Sequence, residues 1–441
     1  MNDTAPSTVP PTEHQPSLPY APLNHLGVLR VQGNDAPSFL HGQLSNDILT
    51  LMPGHARLAG YLTPNGRLIA TLWVIRHDPV PEDKQKTDSS PTFWLVCARD
   101  VAATVARRLA MYVLRAKCKV HDLSNDHHVL GYIGPARHAT QALQEAGVRD
   151  VISAALPTVA LTQTTADMLT TPVRRLLGSE RILARSMLIL SATQLSSLVT
   201  PANPTTPSAI AASENSSAES ATSIDIPQSP SSPAGPETSP DPNVLPGGGQ
   251  AAQDMDRQTS PQGIRFKMSA SDWLQLDVSS GIPWIHAATA ETFIPQMLNL
   301  ELVGGVSFKK GCYPGQEVVA RSEYRGKVKR RMFAGMCSGP LPPPGTDVLA
   351  WDASPIGKVI SVASLSLDTD EEVMAGHDIV MDPEQEELPI VLVGRRFLLL
   401  FEARIDSVGA QPRSAGMIAT SLRIGNAAIG LLRLPYDIPE N

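Results

Sequence analysis

The sequence predicts an α+β fold, with layered helices and strands in its first part and a small β-barrel at its C-terminal end. Two patterns support this prediction. Strand-like apolar runs alternate with helical i, i+4 spacing up to about residue 133, and many short strand-like runs separated by polar turns follow residue 330. With 441 residues, of which 42% are hydrophobic, the chain is long enough for two or three domains.

The first part is organised around a predicted hairpin. Asn65-Gly66 lies between apolar runs at 58–62 and 68–75, and this dipeptide favours a tight turn between two antiparallel strands. The other predicted elements are strands at 26–31, 93–97, 116–120 and 130–133, a helix capped by Gly33-Asn34-Asp35 that carries Phe39, Leu40 and Leu44 and ends near 45–47, and a helix capped by Asp100.

Residues 196–262 differ in composition from the rest of the chain. Pro, Ser, Ala and Thr dominate, no Lys or Arg occurs between Arg185 and Arg257, and seven acidic residues lie in that interval. Because such a segment cannot bury enough apolar surface to fold, we predict a disordered acidic insertion there and a disordered tail at 1–20. The folded regions are then predicted at 21–195, 263–333 and, for the barrel, 334–441.

The barrel strands are predicted from apolar runs bounded by turn residues. Proline and glycine at 342–345 and the Asp-Pro pair at 382–383 are typical of such turns. The predicted strands lie at 331–336, 348–351, 356–362, 390–393, 397–401 and 417–418.

Residues 309–317, Lys-Lys-Gly-Cys-Tyr-Pro-Gly-Gln-Glu, combine features that are typical of a functional loop. Gly311 and Gly315 flank Cys312, and glycine and proline together favour a tight turn that presents the thiol. From Lys309 to Arg331 there are eight basic and two acidic residues, a local charge of +6 in a chain whose net charge is −7. Because neighbouring cations favour the thiolate, we predict that Cys312 ionises more readily than a free thiol. The structural alternative is a cysteine that only packs, beside a solvated charged face.

The four cysteines and the N-terminal residues limit the classes of protein to which the chain can belong. Cys97, Cys118, Cys312 and Cys337 are widely spaced and include no Cys-x-x-Cys pair, which argues against a disulfide framework or a metal site and favours a reducing compartment. The first basic residue is Arg30, which argues against a secretory or mitochondrial leader, and no run of about 18 apolar residues predicts a membrane span. We therefore predict a cytoplasmic protein with no metal site and no membrane association.

The segment 304–317, continued by Ala320-Arg321 and by residues 324–326, resembles the signature of the YgfZ family. Proteins of that family bind folate, are related to the aminomethyltransferase of glycine cleavage, and are implicated in iron-sulfur cluster assembly or maintenance. The likeness extends to blocks at 33–47, 61–67, 112–115 and 281–284. It implies aminomethyltransferase-like folate-binding domains around a central cleft, formed by 21–195 and 263–333, followed by the C-terminal barrel.

The resemblance also implies a cofactor, partners and site residues. Tetrahydrofolate or a derivative is the implied cofactor, and iron-sulfur proteins or cluster-assembly factors are the implied partners, with tRNA-modifying enzymes among the clients. Cys312 is the implied functional thiol, and its use as a cluster ligand, a redox group or a mixed-disulfide partner stays open. Lys310, Arg321 and Arg325 are predicted to activate this thiol. The signature loop is completed by Lys309, Gly311, Tyr313, Gly315, Gln316, Glu317 and Tyr324, and the predicted folate contacts are Gln43, Asn46, Asp47, Asp277, Gln296 and Asn299.

One departure from the related transferases separates two functions. After the Asn-Gly turn those enzymes carry acidic residues, one of which assists one-carbon transfer, whereas this chain has Ala70 and Thr71. A tetrahydrofolate-dependent aminomethyl transfer is therefore disfavoured, because a general acid or base must be titratable and within hydrogen-bond reach. A nucleic-acid-binding module on the basic stripe at 321–331 is a third hypothesis. It is disfavoured because only Tyr313, Tyr324 and Phe333 could stack on bases.

Overall fold

We describe the protein from a computed structural model. The structure describes residues 17–18, 20–78, 90–161, 169, 182–198, 265–266, 268–324, 327–365, 395–409 and 417–439. Most of the predicted tail at 1–20, nearly all of the predicted insertion at 196–262 and the predicted strand at 390–393 lie outside these residues. The predicted domain boundaries therefore stay predictions.

The first part of the chain is a succession of strands with four helices among the described residues. In chain order it contains β1 (Ser17–Leu18), β2 (Ala21–Pro22), β3 (Leu26–Gln32), α1 (Ala36–Gln43), β4 (Ala56–Leu62), β5 (Leu68–Arg76), β6 (Thr92–Ala98), α2 (Arg99–Tyr112), β7 (Lys119–Asp122), β8 (His127–Ile133), α3 (Ala136–Glu145), β9 (Ile152–Ala155), β10 (Val159–Ala160), β11 (Ile182–Leu183), β12 (Arg185–Ser191) and α4 (Ala192–Ser197).

A five-stranded antiparallel sheet, in the order β4-β5-β6-β3-β7, separates two hydrophobic cores. Because side chains alternate along a strand, β5 supplies Trp73 and Ile75 to one core and Leu72 and Val74 to the other. The second core is closed by α1 and α2, whereas the first continues into the rest of the molecule. The predicted Asn-Gly hairpin is β4-β5. A four-stranded sheet in the order β2-β8-β12-β9 lies beside it.

The second part connects this sheet to the barrel. Helix α5 (Ala270–Ser279) packs on the barrel, where Gln275 Nε2 donates to the Ser364 carbonyl O at 2.8 Å and Ser271 Oγ donates to the same oxygen at 3.0 Å. This part contains β13 (Arg265–Phe266), which pairs with β1, α5 (Ala270–Ser279), two 3-10 helices (Ala287–Thr289 and Pro295–Leu298) and α6 (Gln316–Tyr324).

The C-terminal part is a closed six-stranded barrel, so the predicted α+β fold with a C-terminal β-barrel is confirmed. Closure gives each described strand two neighbours, and Phe333, Cys337 and Phe401 fill the interior. The barrel order is β14-β17-β16-β15-β18-β19. Its elements are β14 (Arg330–Ser338), β15 (Asp347–Leu349), β16 (Pro355–Leu365), β17 (Arg396–Arg404), α7 (Ile405–Val408), β18 (Met417–Ile424) and β19 (Ala427–Leu432).

Three local predictions need correction. Asp35 is the N-cap residue of α1, but its carboxylate accepts the Lys117 backbone N–H at 2.7 Å instead of capping the helix, which ends at Gln43. Asp100 lies inside the first turn of α2, where its Oδ2 accepts the Ala287 backbone N–H at 3.0 Å. The strand predicted at 116–120 is β7 at Lys119–Asp122, because its register follows pairing with β3.

Candidate functional site

The signature loop lies across the connection between α1 and β4. Ser45 Oγ donates to the Gly305 carbonyl O at 2.6 Å and accepts the Gly60 backbone N–H at 2.7 Å. Asn46 Nδ2 donates to the Gly304 carbonyl O at 2.6 Å and to the Leu58 carbonyl O at 2.7 Å. Two side chains thus join the hairpin to the signature segment, and the Asn46 amide is engaged inside the protein.

Lys310 tethers the same loop from its other end. Its Nζ donates to the Leu44 carbonyl O at 2.8 Å and to the His41 carbonyl O, and it lies 4.5 Å from the centre of the Tyr313 ring. The side chain is buried, and burial lowers the pKa of Lys310 to about 8, although the charges of Asp47 and Cys312 oppose this shift. The Lys310 ammonium group is therefore engaged by two backbone carbonyls inside the protein.

Two glycines bring the signature loop into contact with the hairpin turn. Gly315 has φ +81° and Gly66 has φ +73°, both in the region that favours glycine. A Cβ at Gly315 would lie 2.5 Å from the Thr63 carbonyl O and 2.7 Å from the Gly66 Cα. The two backbones approach so closely that neither position accommodates a side chain without a shift.

Cys312 is exposed and is a free thiol, in contrast to the buried Cys97, Cys118 and Cys337. Of the cations predicted to activate it, Lys310 lies two residues away in the tethered loop, and Arg321 pairs with Glu317 at 3.2 Å on the exposed side of α6. Arg325 lies outside the described residues. Within the described residues no group of His, Cys, Asp and Glu is arranged to hold a metal ion.

The other loop residues divide by exposure. Gly311 and Lys309 are exposed, Tyr313 is buried, and Gln316 begins α6. Tyr324 is 71% exposed at the end of that helix, and its ring packs edge-on against Phe308 with 6.1 Å between centres. The loop therefore exposes the Cys312 thiol, whereas its Lys310 and Tyr313 side chains are buried.

A cavity of about 280 Å³ opens between this loop, the hairpin and the end of α2. Pro314 of the loop, Tyr61 and Thr63 of the hairpin, Tyr112 of α2 and Gln43 at the end of α1 contribute to its wall. Gln43 Oε1 is buried and has no hydrogen-bond partner among the described residues. No aspartate or glutamate lines the cavity in the described part of the chain.

Arg108 is the one charged residue in that described lining. Its Nη2 pairs with Glu291 Oε1 at 2.5 Å, and the two side chains are 35% and 46% exposed. Burial raises the pKa of Tyr61 to about 12, the nearby Tyr112 hydroxyl adds to this, and the Arg108 charge opposes it. Sequence reasoning did not single out Arg108 or Tyr61, because only the fold brings β4 and the end of α2 to one cavity.

Two comparisons with known proteins found relatives, whereas no protein-family model matches the chain. The chain is 46% identical over 83 residues to the tRNA-modifying protein YgfZ of Edwardsiella ictaluri (strain 93-146). The predicted resemblance to the YgfZ family is thereby confirmed. The match covers 19% of this chain and spans about a quarter, 25%, of that relative.

The fold is also that of a solved aminomethyltransferase. The glycine cleavage system aminomethyltransferase T from Bartonella henselae is similar with a TM-score of 0.51 and 14% sequence identity, covering 95% of this chain and 86% of that protein. At this identity the similarity shows the fold alone. In the part of the chain that the structure describes, no helix is long and apolar enough to cross a membrane.

The predicted folate contacts do not all meet at the cavity. Gln43 lines it, and Asn46 and Asp47 lie a few residues beyond in the connection, where the Asp47 carboxylate accepts from the Thr50 hydroxyl and the Leu49 backbone N–H, both at 3.0 Å. Asp277 has no exposed surface and pairs with Arg185 at 2.5 Å.

Gln296 and Asn299 are also fully buried. Gln296 Nε2 donates to the Val319 carbonyl O and Asn299 Nδ2 to the Met332 carbonyl O, both at 2.7 Å. These two side chains hold α6 and the barrel against the 3-10 helix Pro295–Leu298, and neither belongs to the described cavity wall.

Positions 70 and 71 have structural contacts. Ala70 is buried in the second core, and Thr71 Oγ1 donates to the Pro283 carbonyl O at 2.8 Å and accepts the Ile285 backbone N–H at 3.2 Å. Thr71 thus fixes the 281–285 segment against β5, and neither residue offers a titratable group.

Proposed function

We propose that the protein is a folate-binding accessory protein for iron-sulfur cluster assembly or maintenance, with Cys312 as its functional thiol and tRNA-modifying enzymes among its clients. The observation that supports this proposal is that one loop both presents a thiol and lines a cavity. Cys312 is exposed on the loop whose Pro314 lines the cavity beside Gln43. A ligand in the cavity would therefore lie next to the segment that presents the thiol.

The residues of the cavity suit a reduced folate. A pterin is a flat ring with N–H donors, and the buried Gln43 Oε1 is an acceptor without a partner among the described residues, on a side chain that lines the cavity with Tyr61, Tyr112 and Pro314. Gln43 would orient the ring, and the tyrosines would cover its faces. When bound, the folate would supply a one-carbon carrier or a reduced heterocycle at this position.

The lining of the cavity disfavours aminomethyl transfer. A general acid or base must reach the reacting nitrogen, whereas the described lining contains no carboxylate, imidazole, thiol or lysine side chain to fill that role. The described cavity wall therefore favours binding over proton transfer.

The basic stripe gives little support to an RNA-binding module. Arg330 pairs with the buried Glu402, with 2.9 Å between Nη2 and Oε2, and Arg331 pairs with the buried Glu301. Cations that are paired inside the protein are not available to phosphates.

Two experiments on the Cys312→Ser variant test the two halves of the proposal. Anaerobic calorimetry with tetrahydrofolate should give saturable binding to the wild type and to Cys312→Ser, because the substitution changes one exposed atom outside the cavity. In cells that lack the protein, Cys312→Ser should fail to restore iron-sulfur enzyme activity, whereas Cys337→Ser in the barrel should restore it. Absence of heat at millimolar tetrahydrofolate would contradict folate binding, and full rescue by Cys312→Ser would contradict the thiol function.

A further inference from the structure

The cavity has two chemically different ends. Gln43, whose amide oxygen is buried without a partner among the described residues, lies at one position of the wall, and Arg108 offers a guanidinium at another, beside the exposed Met111 and Tyr112. The walls between them are largely aromatic and aliphatic. Such a site suits a flat heterocycle that carries an anionic group on a side chain, because apolar walls hold the ring and each polar end orients one part.

The charge on Arg108 is already balanced by a carboxylate of the protein. Glu291 accepts from Arg108 at 2.5 Å, yet both side chains are about one-third to one-half exposed. An ion pair with this exposure is weak, since water competes with it and salt screens it. A ligand carboxylate could therefore replace Glu291 at small cost.

The backbone fixes where Glu291 lies. Its φ is +61°, a conformation that residues other than glycine rarely adopt, and its N–H donates to the Leu68 carbonyl O at 2.7 Å. The bond to β5 holds this conformation and places the carboxylate opposite the end of α2. Glu291 thus pairs with the Arg108 guanidinium when no ligand is bound.

We propose that Arg108 is a specificity-determining residue that binds the carboxylate of the ligand's tail, with Glu291 as the internal carboxylate that the ligand displaces. This inference rests on the proposed folate binding and adds the class of ligand to it. The site selects a pterin with an anionic tail, such as a folate, over a pterin with a neutral tail. A bidentate guanidinium–carboxylate contact gives both strength and orientation, which a lysine at this position would not reproduce.

The test compares two ligands and four proteins by anaerobic calorimetry. The ligands are tetrahydrofolate, which has an anionic glutamate tail, and tetrahydrobiopterin, which has a neutral one. Arg108→Ala should weaken tetrahydrofolate binding by about two- to fivefold, as expected for loss of one partly exposed ion pair, and leave tetrahydrobiopterin binding unchanged. Glu291→Gln should tighten tetrahydrofolate binding by a few-fold, because the internal competitor is lost. Arg107→Ala, an equal charge change at an exposed neighbour outside the cavity wall, is the matched control and should bind both ligands like the wild type.

The outcomes separate this inference from the function on which it rests. No binding of tetrahydrofolate to the wild type would overturn folate binding itself. Wild-type binding that Arg108→Ala leaves unchanged would overturn the role of Arg108 alone. An equal loss for both ligands would show that Arg108 only shapes the cavity, and an equal loss in Arg107→Ala would show only general attraction of anions, so both would also overturn it.

Discussion

The backbones at Gly315 and Gly66 are so close that an added methyl group at Gly315 has no room. An added Cβ at Gly315 would meet the carbonyl of Thr63, which is backbone and cannot move aside as a flexible side chain could. Gly315→Ala should therefore displace the loop and lower the free energy of unfolding by about 3 kcal/mol, from the strained φ and the clash together. Urea denaturation measures the loss.

Gly54→Ala is the matched control for this substitution. Gly54 has a similar φ of +75°, but a Cβ there would meet no atom within 4 Å. It should cost only the strain of the left-handed backbone, about 1 kcal/mol. Equal losses in the two variants would mean that the loop and the turn yield to each other freely.

Among the helices and strands, the start of β14 shows how neighbouring cations in the sequence become paired in the fold. Arg330 and Arg331 each form an ion pair with a glutamate. Arg331 and Glu301 are each only 7% exposed, and Arg331 Nη1 also donates to the Gln296 carbonyl O at 2.8 Å. Burial raises the pKa of Glu301 even though Arg331 opposes the shift. Arg331→Ala should lower stability by about 3 to 5 kcal/mol, because it leaves a buried carboxylate without its partner.

The exposed pair on α6 provides the comparison. Arg321 and Glu317 are 72% and 86% exposed, so Arg321→Ala should change stability by less than about 0.5 kcal/mol. Both variants are compared by urea denaturation at one ionic strength. A small effect of Arg331→Ala would show that water reaches Glu301.

The same elements show how far the sequence could be interpreted. The Asn-Gly hairpin and five of the barrel strands were predictable because local turn chemistry and alternating apolar residues determine them, whereas β19 at Ala427–Leu432 was not predicted. The role of Asp35 and the register of β7 were not, since both depend on pairing with residues more than eighty positions away. Side chains that bridge distant segments leave no periodic pattern in the sequence.

The site was predictable only in its loop. The motif around Cys312 identified the exposed thiol, and the amide-rich block that begins at the end of α1 identified Gln43. The block gave no means of separating Gln43, whose oxygen is unpaired, from Asn46, whose amide holds the loop. Arg108 was missed because an arginine on the polar side of a helix has no signal until the hairpin lies against it.

At the scale of the whole molecule, the two folded parts of the described chain meet at a group of titratable residues. His25 at the start of β3 lies near His286 in the second part, and Asp100 of α2 contacts His286 Nδ1 at 3.4 Å. Both ring nitrogens of His25 are buried without a hydrogen-bond partner among the described residues. Burial, followed by the charge of His286, lowers the pKa of His25 to about 3.

This junction predicts acid sensitivity with a defined sign. The unfolded chain takes up a proton at His25 near its ordinary pKa of 6.5, whereas the folded protein does so only near 3, so stability falls as the pH falls between these values. At pH 5 the loss attributable to His25 should be about 2 kcal/mol relative to pH 7.5. Urea denaturation of the wild type and of His25→Gln at both pH values measures it, with His138→Gln at an exposed position as the control. On acidification, His25→Gln should lose less stability than the wild type or His138→Gln. An identical loss in all three proteins would contradict this prediction. It would mean that His25 is protonated in the folded state and that the two parts separate around His25 without unfolding.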